Sequence, residues 1–515
     1  MKERAHIVWF KRDLRTSDHA PLAHAASAGR IVALYVYEPE LLAQEEHHPA
    51  HLTFVNESLI ALDKSLRSRG VALTLRVGRL PQVFEELARE FEIAGVWSHQ
   101  ETGNAVTFAR DLRVAEWCRS NGVPWREYRQ DAVVRRLASR DGWAHRREVF
   151  LASVVPRVPP RIAGLAQVPR STGILGVPEF GQAGHPMLGA QPGGWEAGRA
   201  TLRSFLRERS VHYASSLSSP VSGWEGCSRM SPHLAYGTVS LREVVGATRA
   251  VQRALQGHPG RDTRSHLRSL AAYEARLAWR CHFIQKLESE PSLEFLNGQR
   301  VTDCLRKLQF DAGAEARFQR FVSAETGYPF VDACLRCLAR TGWLNFRMRA
   351  MLASFSSFDL WLHWRRPATY LARLFLDFEP GIHFSQFQMQ AGTMGINTLR
   401  MYSPVKQQQD QDGDGHFVRQ WIPELAHLPT EYLAAPWTMP PLLRLQYGFV
   451  LGRDYPEPVV NHDAAIAFAK RAFYPLRSRP EARDEARVVQ RRHGSRLAPE
   501  TRDARMFGRR RGPLE

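Results

Sequence analysis

The feature that most constrains the fold is a change of hydrophobic period about a quarter of the way along the chain. Over residues 1–133, short β-branched or aromatic runs alternate with longer amphipathic stretches, the pattern of a βαβα chain that lays down a parallel sheet. The runs Ile7–Phe10, Ile31–Tyr37, Ala72–Val77, Gly95–Ser98 and Trp125–Tyr128 predict five strands. Stretches near His19–Ala28, Leu52–Ser68, Leu80–Phe91 and Val106–Asn121 predict the intervening helices. Joined by right-handed crossovers, they make a doubly wound α/β domain. No GxGxxG follows the first strand and no GxxxxGK[ST] occurs, so neither a dinucleotide fingerprint nor a phosphate-binding Walker loop is expected; Lys11-Arg12-Asp13-Leu14-Arg15 stands there instead.

Residues 134–200, rich in Pro and Gly from Leu151 to Gly194, read as a connector over the surface. Residues 201–479 carry long helical patterns with almost no strand signal, as in Ser265–Leu287, Tyr328–Arg340 and Asn345–Trp364, and predict an all-α domain. In 480–515, ten Arg and six acidic residues with almost no aromatics predict a basic, poorly ordered tail.

The 515 residues exceed one ordinary core, which agrees with two domains. The chain has 70 Lys and Arg against 52 acidic residues, a net charge of +18, which favours a polyanionic partner such as nucleic acid over a merely solvated basic surface. No apolar run could cross a bilayer and no signal-peptide layout follows Met1, so a soluble, cytoplasmic protein without a membrane partner is expected. The cysteines Cys118, Cys227, Cys281, Cys304, Cys334 and Cys337 are too scattered for a disulfide framework. Cys334 and Cys337 lie in an apolar helical pattern without a second CxxC and read as packing residues. His47, His48 and His51 lack a further ligand and read as a polar loop entering a helix, and Asp410–Gly415 lacks the twelfth-position Glu of a calcium loop and reads as a turn. No metal site is expected.

Val8-Trp9-Phe10-Lys11-Arg12-Asp13-Leu14-Arg15 with Asp18 resembles the opening of photolyases and cryptochromes. Further segments follow in that family's order: Cys227–Leu234 with Gly237, Thr326-Gly327-Tyr328-Pro329 with Asp332, Gly342-Trp343 through Arg347 and Arg349, and Arg400–Gln407 leading to Arg419–Leu425. The resemblance implies FAD in the helical domain and, in the α/β domain, an antenna chromophore of folate or deazaflavin type. Tyr213, Ser228 and Ser231 are then expected to hold the FAD diphosphate, with Cys227 where the family has a hydroxyl; the hydroxyls could instead cap a helix. Arg349 and Asp377 correspond to a pair beside the isoalloxazine ring, Arg280 to another flavin-side Arg, and Glu379 to an Asp at the ring's polar edge. His383 falls on the position facing flavin N5, where it could donate a proton, hydrogen-bond, or be structural.

Several positions depart from the family. Of its three-tryptophan electron chain only the middle one remains, as Trp364; Phe387 takes the flavin-proximal place and Phe310-Asp311 the outer one. Trp343, Trp361 or a tyrosine would have to provide a detour. The lesion pocket maps onto Trp279, Met389, Arg276, Phe346 and Arg347, keeping one tryptophan and the Arg but replacing a Glu by Arg276 and an amide by Phe346. The resemblance therefore implies a light-driven photolyase acting on UV-damaged DNA, with Trp279, Arg347, Met389 and His383 catalytic. A cryptochrome-like photoreceptor and a light-independent nucleic-acid-binding flavoprotein are the alternatives.

Overall fold

In the computed structural model of the chain, which describes residues 2–155, 157–180, 187–257, 260–396 and 398–495, five strands form one parallel sheet. They are Arg4–Phe10 (β1), Ile31–Tyr37 (β2), Leu73–Val77 (β3), Glu92–His99 (β4) and Trp125–Tyr128 (β5), in spatial order β3-β2-β1-β4-β5. Trp9 lies opposite Leu34 on one side of β1, and Val8 opposite Trp97 on the other. Strand β1 is buried on both faces: Ile7 and Trp9 pack with Leu34 and Phe84, while Val8 and Phe10 join the opposite core. The predicted strands and helices are all present, the helices as Ala20–Ala28, Pro49–Arg67, Gln82–Glu90 and Ala105–Ser120.

The connector covers the sheet's edge. Thr172 N–H donates to Leu75 O (2.9 Å), Leu75 N–H to Ser171 Oγ (3.0 Å), and Ile31 N–H to Ala163 O (2.8 Å). Backbone groups of Leu75 in the edge strand β3, and of Ile31 in β2 before its pairing with β3 begins, are thereby satisfied. Helices Trp143–Ala152 and Trp195–Arg207 occupy parts of the stretch expected to be irregular.

The loop after β1 joins the two halves. Arg12 donates to Ala235 O (2.9 Å) and Phe378 O (2.6 Å), Leu14 N–H to Tyr236 O (3.2 Å), and Arg15 to Gly237 O (2.8 Å). Gly237 has φ +63°, and a Cβ there would meet Arg12 O at 2.3 Å, so this close approach requires glycine. Beneath the loop, the buried Asp13 accepts from Lys11 N–H (2.7 Å) and bonds His19 Nε2 (3.0 Å) and His99 Nδ1 (2.7 Å). One apolar cluster runs from Val8 and Phe10 to Phe330, Leu338 and Leu352 of the helical half.

That half is built around Arg261–Ser289, which packs against Pro380–Ala391. The predicted Asn345–Trp364 helix ends sooner: Phe346–Ser354 is α-helical, Phe355–Asp359 widens into a π turn, and Trp361 adopts φ +50°. The predicted tail also needs correction, since Pro480–His493 is a helix. Pro480 stands in its first turn, where a missing N–H costs nothing, and Ala482, Val489 and His493 are buried. Gln299 Nε2 donates to Ala482 O (2.6 Å) and Val301 N–H to Glu485 Oε2 (2.9 Å). Residues 496–515 of that tail lie outside the described residues. No described helix is long and apolar enough to cross a membrane.

The smaller expectations fare well. Cys334 and Cys337 are buried free thiols in the core. His48 caps Pro49–Arg67 by accepting Ala50 N–H (3.1 Å), with His51 completing a capping box. Asp412 accepts Phe417 N–H (2.9 Å) and Val418 N–H (3.0 Å) in the turn before His416–Trp421.

Candidate functional site

A cavity of about 300 Å³ opens between the helices. Along Arg261–Ser289, residues Tyr273, Arg276, Leu277, Arg280 and Phe283 recur at helical spacing and share the face that lines it. His383, Gln386, Phe387 and Gln390 do the same on Pro380–Ala391. The Cys227–Ser231 segment, Trp343–Phe346 and Asp377–Glu379 close the remaining sides.

Two ion pairs organise its polar edge. Arg349 and Asp377 form a bidentate pair, Nη1 to Oδ1 at 2.9 Å and Nη2 to Oδ2 at 2.8 Å. A third donor, Arg349 Nε, binds Leu344 O (2.8 Å), and the guanidinium lies 4.0 Å from the Phe375 ring centroid. Such a fork is fixed in plane as well as position. Arg280 reaches Glu379 (3.1 Å), Asp131 (3.3 Å) and Leu234 O (3.0 Å). Burial works against the Arg280 charge, but Glu379 and Asp131 outweigh it and raise the guanidinium's pKa. Burial pushes the Glu379 carboxyl up, against the pull of Arg12 and Arg280.

His383 is half-buried among aromatic rings, and desolvation there draws its pKa down to about 4. The imidazole is therefore neutral near pH 7. Its Nε2 lies 2.7 Å from Ala368 O, an acceptor only, so Nε2 carries the proton and Nδ1 keeps a lone pair. Of the roles open to His383, proton donor gives way to hydrogen-bond acceptor.

The diphosphate candidates also converge. Tyr213, Cys227, Ser228 and Ser231 line the cavity. Ser228 Oγ accepts Met230 N–H (3.4 Å), and Ser231 is the first residue of the helix Ser231–Ala235, whose cap position is held by Met230. Burial pushes the Cys227 thiol up to about 11 and keeps it neutral. Among the described residues, Asn345 Oδ1 and Arg276 Nη1 are buried without partners. A cavity lined by hydroxyls, unmet polar atoms and fixed charge pairs fits a dinucleotide such as FAD.

Trp279, Arg276 and Phe346 line the same cavity, with the Arg276 guanidinium 4.2 Å from the Trp279 ring centroid. Three expected site residues do not line it. Arg347 is next to Phe346 but outside the lining. Met389 packs with Leu287, Leu293, Met394 and Val489, the last from the Pro480–His493 helix, and lies 3.4 Å from Lys286 Nζ. Trp364 is wholly buried, donating Nε1–H to Asn297 Oδ1 (2.7 Å), with its ring 6.3 Å from that of Phe384. Phe387, which the resemblance put in the flavin-proximal place, lines the cavity.

Arg229 is a site residue that the pattern did not single out. Its guanidinium lies 4.1 Å from both the Trp224 and Trp343 ring centroids, and burial lowers its pKa to about 10. Its place within Cys227–Leu234 was visible in the sequence; the two rings that hold it come from segments far apart in sequence.

A second cavity, of about 170 Å³, lies at the carboxyl ends of β1 and β2, where ligands enter doubly wound sheets. Arg110 there bonds Glu38 (2.8 Å) and Glu101 (2.6 Å), and burial raises the Glu38 carboxyl to about 7 despite Arg110.

The family description DNA photolyase matches residues 6–142, and FAD binding domain of DNA photolyase matches residues 273–474. A deoxyribodipyrimidine photo-lyase from Streptomyces griseus is 31% identical over 489 residues, covering 90% of this chain and 98% of its own. A cryptochrome DASH from Gloeobacter violaceus is 28% identical over 500 residues, covering 92% and 96%. The crystal structure of a Synechocystis cryptochrome superposes with a TM-score of 0.81 at 25% identity, covering 92% of this chain and 99% of that one.

Proposed function

Starting from a chain that belongs to the photolyase and cryptochrome family and carries its FAD-binding domain, we propose a light-driven DNA photolyase that repairs pyrimidine dimers by electron transfer from reduced FAD. The observation that carries this reading is the continuity of one cavity. The pairs Arg349–Asp377 and Arg280–Glu379, suited to a flavin's polar edge, share its lining with Trp279, whose face suits a base taken out of the duplex stack.

When bound, FAD supplies light absorption and the one-electron chemistry. Asp377 holds the Arg349 fork in place, so positive charge is fixed before any negative charge develops beside it. Glu379 and Asp131 do the same for Arg280. Neutral His383 offers an acceptor nitrogen and withholds its proton, which Ala368 O engages. Leu277, Phe283, Phe375 and Phe387 keep water from the wall between these pairs. Arg347 and the +18 net charge favour approach of the DNA backbone. The second cavity supports a seat for an antenna chromophore of folate or deazaflavin type.

A cryptochrome-like photoreceptor is the second reading, favoured by Met389, which packs against Val489 and lies outside the cavity. A light-independent nucleic-acid-binding flavoprotein is the third. The test is to reduce the purified protein, add UV-damaged DNA, and follow lesion loss in light and darkness. Loss only in light supports repair. Equal loss in both conditions overturns it, and no loss with a light-induced change in flavin state transfers support to the photoreceptor.

A further inference from the structure

Arg276 and Arg347 are electrostatically unfinished. Among the described residues, Arg276 Nη1 and Arg347 Nε are buried without a partner, and no carboxylate pairs with either guanidinium. The Arg276 guanidinium lies 4.2 Å from the Trp279 ring centroid and 5.4 Å from that of Phe346. These rings steer the fork and strip water from it, but their faces do not replace hydrogen-bond acceptors in the fork's own plane. Burial first, and the like charge of Arg347 as well, draw the Arg276 pKa down, yet arginine keeps its charge at neutral pH. Arg347 follows Phe346, whose ring lies 5.4 Å from the Arg276 guanidinium, and two neighbouring cations with unmet donors are complementary to an oxyanion that accepts from both and cancels their repulsion. Stacking alone would hold Arg276 in place but would leave those donors unmet.

We propose that Arg276 and Arg347 form a phosphate seat at the Trp279 and Phe346 wall of the cavity. Its ligand class is a phosphate ester, whose oxygens match the planar guanidinium fork. The phosphate has two possible sources. Tyr213 and Cys227 line the same cavity as Arg276, which connects the seat to the residues proposed to hold the FAD diphosphate. Arg347, outside the cavity lining, connects it equally to a nucleic-acid phosphate arriving from solvent. The first source rests on the FAD-binding reading, and neither requires light or repair, so failure here is distinguishable from failure of the photolyase reading.

The experiment compares the full-length wild type with Arg276→Met, Arg276→Lys and Arg347→Met in the dark. One arm measures flavin per chain after gel filtration and FAD affinity on reconstitution. The other measures binding of undamaged oligothymidylate by the flavin-loaded fraction across a salt series, with inorganic pyrophosphate as competitor. Arg276→Met is expected to weaken one arm by about 10- to 100-fold, the range for hydrogen bonds to a charged group. Arg276→Lys should recover part of the loss, because it restores charge without the fork. Loss confined to flavin assigns the seat to the cofactor. Loss confined to oligothymidylate, with a salt slope shallower by about 0.7 per contact removed, assigns it to nucleic acid. Arg347→Met should weaken the same arm as Arg276→Met. Wild-type values in both arms for variants that melt like wild type overturn the proposal. If Arg276→Met fails to fold, Arg276→Lys decides: reduced binding in one arm supports the seat, and wild-type binding in both overturns it.

Discussion

Replacing Asp377 with Ala tests the fixed charge pair beside the proposed flavin site. Asp377 accepts two hydrogen bonds from Arg349, at 2.9 and 2.8 Å, and its side chain is only 4% exposed against 28% for Arg349. Breaking a fully buried pair costs about 3–5 kcal/mol. The partial exposure of Arg349 lets water reach the freed fork, and Leu344 O and the Phe375 ring keep hold of it. The expected loss is therefore about 2 kcal/mol, nearer the value for one charged hydrogen bond. Urea unfolding reads this term, and FAD titration should show affinity falling by roughly 10- to 30-fold, its equivalent in binding. Arg349→Met and the double variant complete a cycle, with coupling of about 1–2 kcal/mol expected for partners in contact. Unchanged stability and FAD affinity in Asp377→Ala, or coupling near zero, would refute the claim that the two residues act as a unit.

The neutral state of His383 predicts an acid-dependent cost. Its folded pKa of about 4 lies below its ordinary value of 6.5, so between those values the unfolded chain binds a proton that the folded chain refuses. Stability should therefore fall on acidification through that window, by about 1.4 kcal/mol per pH unit for this residue. In His383→Gln, urea unfolding between pH 7 and pH 4 should show a slope smaller by about one proton; an unchanged slope counts against a neutral His383. Phe387→Trp places a more readily oxidised ring in the cavity lining and should accelerate light-driven flavin reduction by an external donor, as followed by flavin absorbance. An unchanged rate would show that electrons arrive by a route independent of residue 387. Val489→Asp puts a charge where Met389, Leu287 and Met394 pack, and should undock Pro480–His493 at a cost of about 2–4 kcal/mol. Faster proteolysis after Arg479 reads that undocking, and wild-type resistance would show that the helix is held by other contacts.

The α/β half was legible because its strands are compact β-branched runs separated by amphipathic helices, and every predicted strand overlaps an observed one. The resemblance brought together Arg349 with Asp377, and the structure pairs them; it named Arg280 and Glu379 separately, and their ion pair came only with the structure. Tertiary partners were harder to read. Lys11–Arg15 resembled the family's opening, but nothing near it in sequence announced that Arg12 and Arg15 bind backbone of residues 235–237. Pro480–His493 was hidden by composition: a charged segment with three widely spaced buried residues becomes a helix because its narrow face finds Leu287, Leu293 and Met394. The same docking packs Met389 away from the cavity, a fate that its position in a lesion-pocket alignment does not reveal. His383 was readable as a candidate, but its tautomer depended on Ala368 O from another helix.

Repair in a single turnover tests the central claim most directly. Reduced, FAD-loaded protein is mixed with an equimolar oligonucleotide carrying one thymine dimer, and intact thymine is counted after one light flash and after an equal time in darkness. Light-dependent restoration, lost in Trp279→Ala with its flavin retained, is the predicted result. Full binding of the oligonucleotide with no thymine restored by light would contradict the photolyase account.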